Sequence, residues 1–204
     1  MATDVPAADR PWFITQRWQQ YAGEARVNLL RIASLGIFYL IHLWHYFSSA
    51  GKLPSWGFLQ LSAESVVDER FHTLVTLLAL AWVMLAAAVH ISLQMRHFPA
   101  WLPYASTAGD LLFLTAMLSI ASGPRSALVA GYFLIIALTT LRFDLSLVRP
   151  ATIGGMVGYI CVLGVAKWPA TFGREAGLDI TVPRYHQLMT LAALALTGII
   201  IGQA

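Results

Sequence analysis

The chain has 204 residues, 58% of them hydrophobic and only 11% charged, against about 25% charged in an ordinary soluble domain. Its 13 Lys and Arg exceed its 10 Asp and Glu by three, and no basic stripe interleaved with aromatic residues marks a nucleic-acid surface, so nucleic acid is excluded as a partner class. The single cysteine, Cys161, sits in an apolar run, which excludes an internal disulfide, a CxxC metal clip and c-type haem attachment.

Residues 1–26 form a polar head that carries Asp4, Asp9 and Glu24 and no apolar core, so it is neither a secretory signal nor an acid-poor transit peptide. In it Trp12, Phe13, Trp18 and Tyr21 mix with Arg10, Arg17 and Arg26, a pattern of a short amphipathic segment in the headgroup region or of a partly ordered tail. Residues 27–204 then carry apolar runs of the roughly 20-residue length that crosses a bilayer. Hydropathy predicts helices over Val27 to Phe47, Phe71 to Leu93, Leu102 to Ile120, Ala127 to Phe143, Leu145 to Val165 and Tyr185 to Gly202. Between the third and the fourth, Ser122-Gly123-Pro124-Arg125-Ser126 breaks one helix and offers Ser126 as a cap for the next. The runs are apolar on every side, unlike the alternating strands of an outer-membrane barrel. The fold class expected is all-α: a polytopic membrane protein, with six transmembrane helices in one bundle in the lipid bilayer.

Arginine and lysine divide evenly between the two faces, with Arg10, Arg17, Arg26, Arg96, Arg142 and Arg149 opposite Lys52, Arg70, Arg125, Lys167, Arg174 and Arg184, so the positive-inside rule does not orient the bundle. The longer, acid-containing connections, Ser48 to Arg70 and Ala166 to Arg184, suit the outer side. That places both termini on the cytoplasmic side. Gly154 and Gly158 on the fifth helix and Gly198 and Gly202 on the sixth repeat a four-residue spacing that lets backbones touch in lipid. These are expected packing seams within the bundle or between the copies of a homodimer.

Ionisable groups inside a span are costly and mark candidate sites. Arg31 lies about one turn into the first span and Asp110 about two turns into the third, at similar depth, which predicts a buried ion pair joined by Asn28. The competing expectation is that Arg31 snorkels to the headgroups while Asp110 bonds Thr107 or Thr115. No chain of such groups crosses the middle of the bundle, as a proton relay would need.

Histidine placement is the stronger chemical signal. Helix parity brings the end of the first span and the starts of the second and sixth to one face, so His42, His45, His72 and His186 fall near the same level, with Trp44, Tyr46, Arg70, Arg184 and Tyr185 around them. Neutral imidazole is a common ligand of zinc, copper and iron. Two to four imidazoles from three helices could hold such a metal or clamp haem b, with Asp68 or Glu69 as a further carboxylate. Equally, histidine tolerates the membrane interface without binding anything. His90 is a weaker candidate for a second site near the opposite face, and His97, in a turn, is expected to be solvated. There is no nucleophile elbow and no phosphate-cradling loop, so no catalysis is expected, and the broken helices and repeated halves of many transporters are missing.

The stretch YASTAGDLLFLTAML around Asp110, then GPRSALVAGYFLIIALTTLRF and TIGGMVGYICVLG, resembles the six-helix membrane module that precedes class III adenylate cyclase or histidine kinase domains in bacteria. EARVNLLRIASLGIFYLIHL near the start and VPRYHQLMTLAALALTGIIIGQ near the end extend the likeness over most of the chain. The resemblance implies a bacterial inner membrane, a response to the quinone redox state, and a ligand role for His45, His72 and His186. In that family the sixth helix runs on into a cytoplasmic catalytic domain, whereas this sequence ends at Ala204. The expectation is an isolated sensing module or a relative that signals through a partner cyclase or kinase domain. Two other functions stay open: a b-type cytochrome subunit carrying electrons, and a receptor for a small lipophilic ligand in an aromatic pocket around Phe38, Trp44 and Trp82.

Overall fold

A computed structural model describes residues 10–52, 69–121, 123–142, 145–172 and 181–203. Asp68, proposed above as a carboxylate donor, lies outside the described residues. Among the described residues six α-helices follow one another: α1 (Arg10–Ser49), α2 (Glu69–Gln94), α3 (Leu102–Ile120), α4 (Ala130–Leu138), α5 (Val148–Lys167) and α6 (Arg184–Gln203). No strand is present among the described residues.

Among the described residues four stretches are long and apolar enough to cross a membrane: Thr15–Ser49, Glu69–Gln94, Leu145–Lys167 and Arg184–Gln203. The other two helices fall short for different reasons. α3 has 19 residues but spends several of its positions on Ser106, Thr107, Asp110 and Thr115, and eight of its residues are buried. A helix enclosed by its neighbours can carry polar groups because it faces little lipid. α4 has only nine α-helical residues, and tight 3-10 turns at Ala127–Val129 and Thr140–Arg142 continue it at either end. Ser126 caps the first of these turns, its hydroxyl accepting from the Leu128 amide. At the other end the Thr139 and Thr140 hydroxyls donate to the carbonyls of Ile136 and Ala137, and the chain turns so that Arg142 is buried.

The first helix differs most from expectation. It is continuous from Arg10, so residues that read as a polar head are the first turns of the same helix, with Pro11 at its start, where proline costs no hydrogen bond. At about 1.5 Å per residue its 40 residues reach roughly 60 Å, twice the hydrocarbon thickness of a bilayer.

α3 and α5 form the centre. α2 packs on α3 and α1 on α2, while α6 packs on α5 and α4 on the far flank. The main core joins Leu111, Leu114 and Leu118 of α3 to Tyr132 and Ile136 of α4, Tyr159 and Val162 of α5, and Leu194 of α6. Small residues set these distances. A side chain at Gly154 would meet Leu111 at 2.6 Å, and one at Gly158 would meet Thr115 at 2.6 Å and Tyr132 at 3.0 Å. Gly198 lies against Thr152 of α5, and Gly202 faces Val148 at an ordinary 3.8 Å. Gly154, Gly158 and Gly198 are therefore close-approach points within one chain, whereas Gly202 is exposed.

The surface is the reverse of a soluble protein's. Leu29, Ile37 and Leu40 on α1, Leu77, Leu80 and Met84 on α2, and Leu188, Met189 and Ile200 on α6 are exposed, while Glu24, Asn28, Arg31, Asp110 and Arg142 are buried. Continuous apolar surface of this kind is uncommon on soluble monomers and is compatible with an integral membrane protein.

Candidate functional site

One face of α1 carries the polar chemistry. Arg17, Tyr21, Glu24, Asn28 and Arg31 recur at alternating spacings of four and three, which keeps them on one stripe facing a neighbour. Each finds a partner on another element.

At the start of the stripe, Arg17 donates to the Phe98 carbonyl at 2.7 Å and its guanidinium lies over the Phe98 ring at 5.7 Å. Tyr21 donates to the Leu93 carbonyl at 2.8 Å. The first turns of α1 are thereby tied to the connection between α2 and α3.

One turn further, Glu24 is fully buried and pairs with Arg142, Oε2 to Nε at 2.8 Å. The same guanidinium donates to Thr107 Oγ1, to Ser106 Oγ at 3.1 Å and to the Pro103 carbonyl at 3.2 Å. Ser106 in turn donates to Glu24 Oε1 at 3.0 Å. Gly23 allows the approach: a side chain there would collide with the Leu141 carbonyl oxygen and would lie 2.8 Å from the Arg142 Cα. This pair joins α1, α3 and the turn after α4.

The second pair lies deeper along the stripe. Arg31 grips Asp110 with two bonds of 2.7 Å, Nε to Oδ1 and Nη2 to Oδ2, the fork geometry that favours arginine over lysine. Its remaining nitrogen, Nη1, donates to Asn28 Oδ1 at 2.6 Å, and Asn28 Nδ2 donates to the Ala86 carbonyl at 3.1 Å. Trp82 of α2 completes the carboxylate, its Nε1 donating to Oδ1 at 2.8 Å. Arg31 and Asp110 are 4% and 5% exposed, so the guanidinium does not snorkel. Of the aromatic residues Phe38, Trp44 and Trp82, Trp82 belongs to this network and Phe38 is exposed.

Buried charge is tolerated only when paired and hydrogen-bonded. Both are paired and each is neutral as a unit, and Arg31–Asp110 is fully hydrogen-bonded; Glu24 takes its hydrogen bonds at Oε1, from Ser106 and from Arg142 Nη2 at 3.3 Å, while its Oε2 is in ion-pair contact only. Sequence alone hides the Glu24–Arg142 pair, because Glu24 falls in a polar head and Arg142 reads as one of the face charges at the end of the fourth helix. The spacing of Glu24 to Asn28 and Arg31 was the signal that could have found the first of them.

The histidines are partly brought together. His42 Nε2 and His72 Nδ1 are 3.1 Å apart and share a hydrogen bond. Tyr46 stacks on His72 with centroids 3.9 Å apart, and the Phe71 ring meets His42 edge-on at 5.8 Å. Nearby, Tyr39 and Thr76 bond across the same α1 and α2 seam at 3.3 Å. His45 Nε2 is buried without a hydrogen-bond partner among the described residues. His186 sits on α6, whose main neighbours are α5 and α4, is exposed, and meets Tyr185 at 5.1 Å. The tie from Arg125 to the Thr181 carbonyl, 2.9 Å from Nη2, holds the start of α6 beside the end of α3, so His186 shares the face of the pair but lies on the other flank. His90 is exposed and bonds Gln94 at 3.0 Å, and His97 is exposed.

Among the described residues no group of three or more His, Cys, Asp or Glu side chains is placed to hold a metal. A structural zinc needs four ligands at about 2.0–2.3 Å, and here two imidazoles point at each other through one hydrogen. A haem held by two histidines needs them on opposite sides of its ring, which a direct hydrogen bond between them prevents. As placed, these side chains do not fit either group. Comparison with protein-family models, with curated proteins and with solved structures finds no match to this chain.

Proposed function

We propose that this chain is a six-span integral membrane protein, with both termini on the cytoplasmic side, that works as a non-catalytic sensor or anchor module of the kind it resembles in sequence. The observation that carries the reading is the contrast between its two flanks. On one, α1 is bolted to α2, α3 and the turn after α4 by two buried ion pairs. On the other, α6 packs closely on α5 around Leu194 and Gly198 but makes no ion pair among the described residues, so packing contacts and not charge hold it in place. A frame fixed by ion pairs beside a helix held by non-directional packing suits a two-state receptor, since an input must find two arrangements of differing affinity. α6 is then the output, passed to a cyclase or kinase domain or to a partner carrying one.

The seam of His42, His72 and Tyr46 is the candidate input, for a quinone or another small lipophilic ligand with hydrogen-bonding groups. The paired charges argue against transport, because each buried carboxylate is already neutralised by its own guanidinium and offers no step for an ion to take.

The test is a distance measurement between spin labels at Leu188→Cys on α6 and Leu77→Cys on α2, both exposed sites, in a Cys161→Ala background in liposomes. A short-chain benzoquinone, oxidised and then reduced, is the probe. A shifted distance distribution between the two states is expected. An identical distribution in both would leave a static anchor and remove the quinone sensor. A visible spectrum of the same sample tests the cytochrome alternative, which requires a reducible b-type Soret band.

A further inference from the structure

Toward its start α1 is fixed by ion pairs; toward its end it is joined to α2 by groups without a fixed charge. Tyr39 shares a hydrogen bond with Thr76 at 3.3 Å, and one turn on His42 Nε2 meets His72 Nδ1 at 3.1 Å. The two imidazole planes are within 16° of parallel. The Tyr46 ring covers the face of His72 at 3.9 Å, and Phe71 meets His42 edge-on. Both histidines are half-buried, about two turns from the end of α1 at Ser49 and one turn from the start of α2 at Glu69, close to the water at that end of the bundle.

Proton counting separates three states of this contact. With both rings neutral, the N–H of one donates to the lone pair of the other. One added proton preserves the bond: His72 then carries both of its N–H groups, Nδ1 donates to His42 Nε2, and Tyr46 stacks on a cation. A second proton, on His42 Nε2, removes the last acceptor. Two N–H groups then face each other across 3.1 Å, on two rings that are both positive. No counter-charge compensates them, since neither ring is in an ion pair among the described residues. The groups that face the pair are Tyr39 and Tyr46 of α1 and Phe71 and Thr76 of α2, none of them a carboxylate, while Glu69 and Arg70 at the start of α2 are exposed. His45, one turn along α1, offers a third imidazole and no anion; its Nε2 is buried without a hydrogen-bond partner among the described residues.

We propose that His42 and His72 form a proton-binding latch, which holds α1 on α2 while the two rings share up to one added proton and opens when each ring carries its own. The ligand is the proton itself, taken from water at that end of the bundle, and what is lost on opening is the hydrogen bond between the rings. This rests on the reading of the seam as the input site, and it adds acid as a signal that acts there without a lipophilic ligand.

The experiment measures the distance between spin labels at Ala50→Cys, just after α1, and Leu74→Cys on α2, both exposed, in the full chain with Cys161→Ala in nanodiscs. Samples are held at about pH 8.5 and about pH 4.5, two units either side of the free imidazole value near 6.5. The parent is expected to lose its short-distance population in acid and to regain it on return to base. His42→Gln should keep that population at both values, because its amide oxygen accepts from His72 in either protonation state. His186→Gln, at an exposed position on α6, should respond as the parent does. An unchanged distance in the parent, an equal acid response in His42→Gln, or loss of the response in His186→Gln would each overturn the latch. Adding the short-chain benzoquinone separates the two readings of the seam. An acid response without a quinone response supports the latch and refutes the lipophilic input, and a quinone response without an acid response does the reverse.

Discussion

Replacing Asp110 by Asn tests the central strut most directly. The carboxylate accepts from Arg31 Nε, Arg31 Nη2 and Trp82 Nε1. Asparagine keeps one acceptor oxygen for Trp82 but turns its NH₂ toward a guanidinium that is 4% exposed. Breaking a buried pair by removing one partner costs about 3–5 kcal/mol. Arg31→Lys is expected to cost less, about 1.5–3 kcal/mol, because the charge stays while the second fork bond or the bond to Asn28 is lost. Arg31→Met combined with Asp110→Asn removes both charges, so the double variant should be about 2–3 kcal/mol more stable than the sum of the two single losses. The assay is reversible unfolding in mixed micelles of rising dodecyl sulfate fraction, followed by far-ultraviolet circular dichroism. The reasoning fails if Asp110→Asn unfolds within about 1 kcal/mol of the parent, or if the two substitutions simply add.

The other pair has a local readout: Glu24→Gln leaves Arg142 buried without a counter-charge, costs about 3–5 kcal/mol, and should speed hydrogen exchange over residues 15–26 before it affects α5; uniform exchange would contradict the assigned tie. Gly23→Ala places a methyl against the Leu141 carbonyl, which is backbone and cannot swing away, for a loss of about 1–3 kcal/mol. Gly36→Ala meets nothing within 4 Å and should gain up to about 1 kcal/mol from helix propensity; in the same micelle titration the two must move in opposite directions. His72→Phe keeps a ring against Tyr46 but breaks the bond to His42, costing about 0.5–1.5 kcal/mol, whereas His97→Ala, at an exposed site, should leave the midpoint unchanged.

Composition and periodicity alone located six helical segments and the apolar surface, though not the start of α1 at Arg10 or the shortness of α4. Runs without polar breaks can bury their backbone hydrogen bonds only as helices, and turn residues such as Gly123 and Pro124 separate them. Arg31, Asn28 and Asp110 were legible for a related reason: an ionisable group in an apolar run stands out, and parity alone sets its depth. The histidines show where that logic stops. Parity assigns a level in the bundle but no neighbour around it, so it could not separate His42 and His72, which meet across α1 and α2, from His186 on the flank where α6 packs on α5.

Packing decided the rest. Glu24 looked solvated because the residues before Val27 are polar, but polarity on one stripe of a helix is also how a chain satisfies buried partners. Only the fold places Arg142, remote in sequence, within 2.8 Å of Glu24. The continuity of α1 through Arg10 follows from that contact and from the anchoring of Arg17 and Tyr21. Hydropathy is a property of a segment and can be summed along the chain. Ion pairing and close packing belong to surfaces that different segments present to one another, and they exist only once α1, α3, α5 and the turn at 140–142 have met.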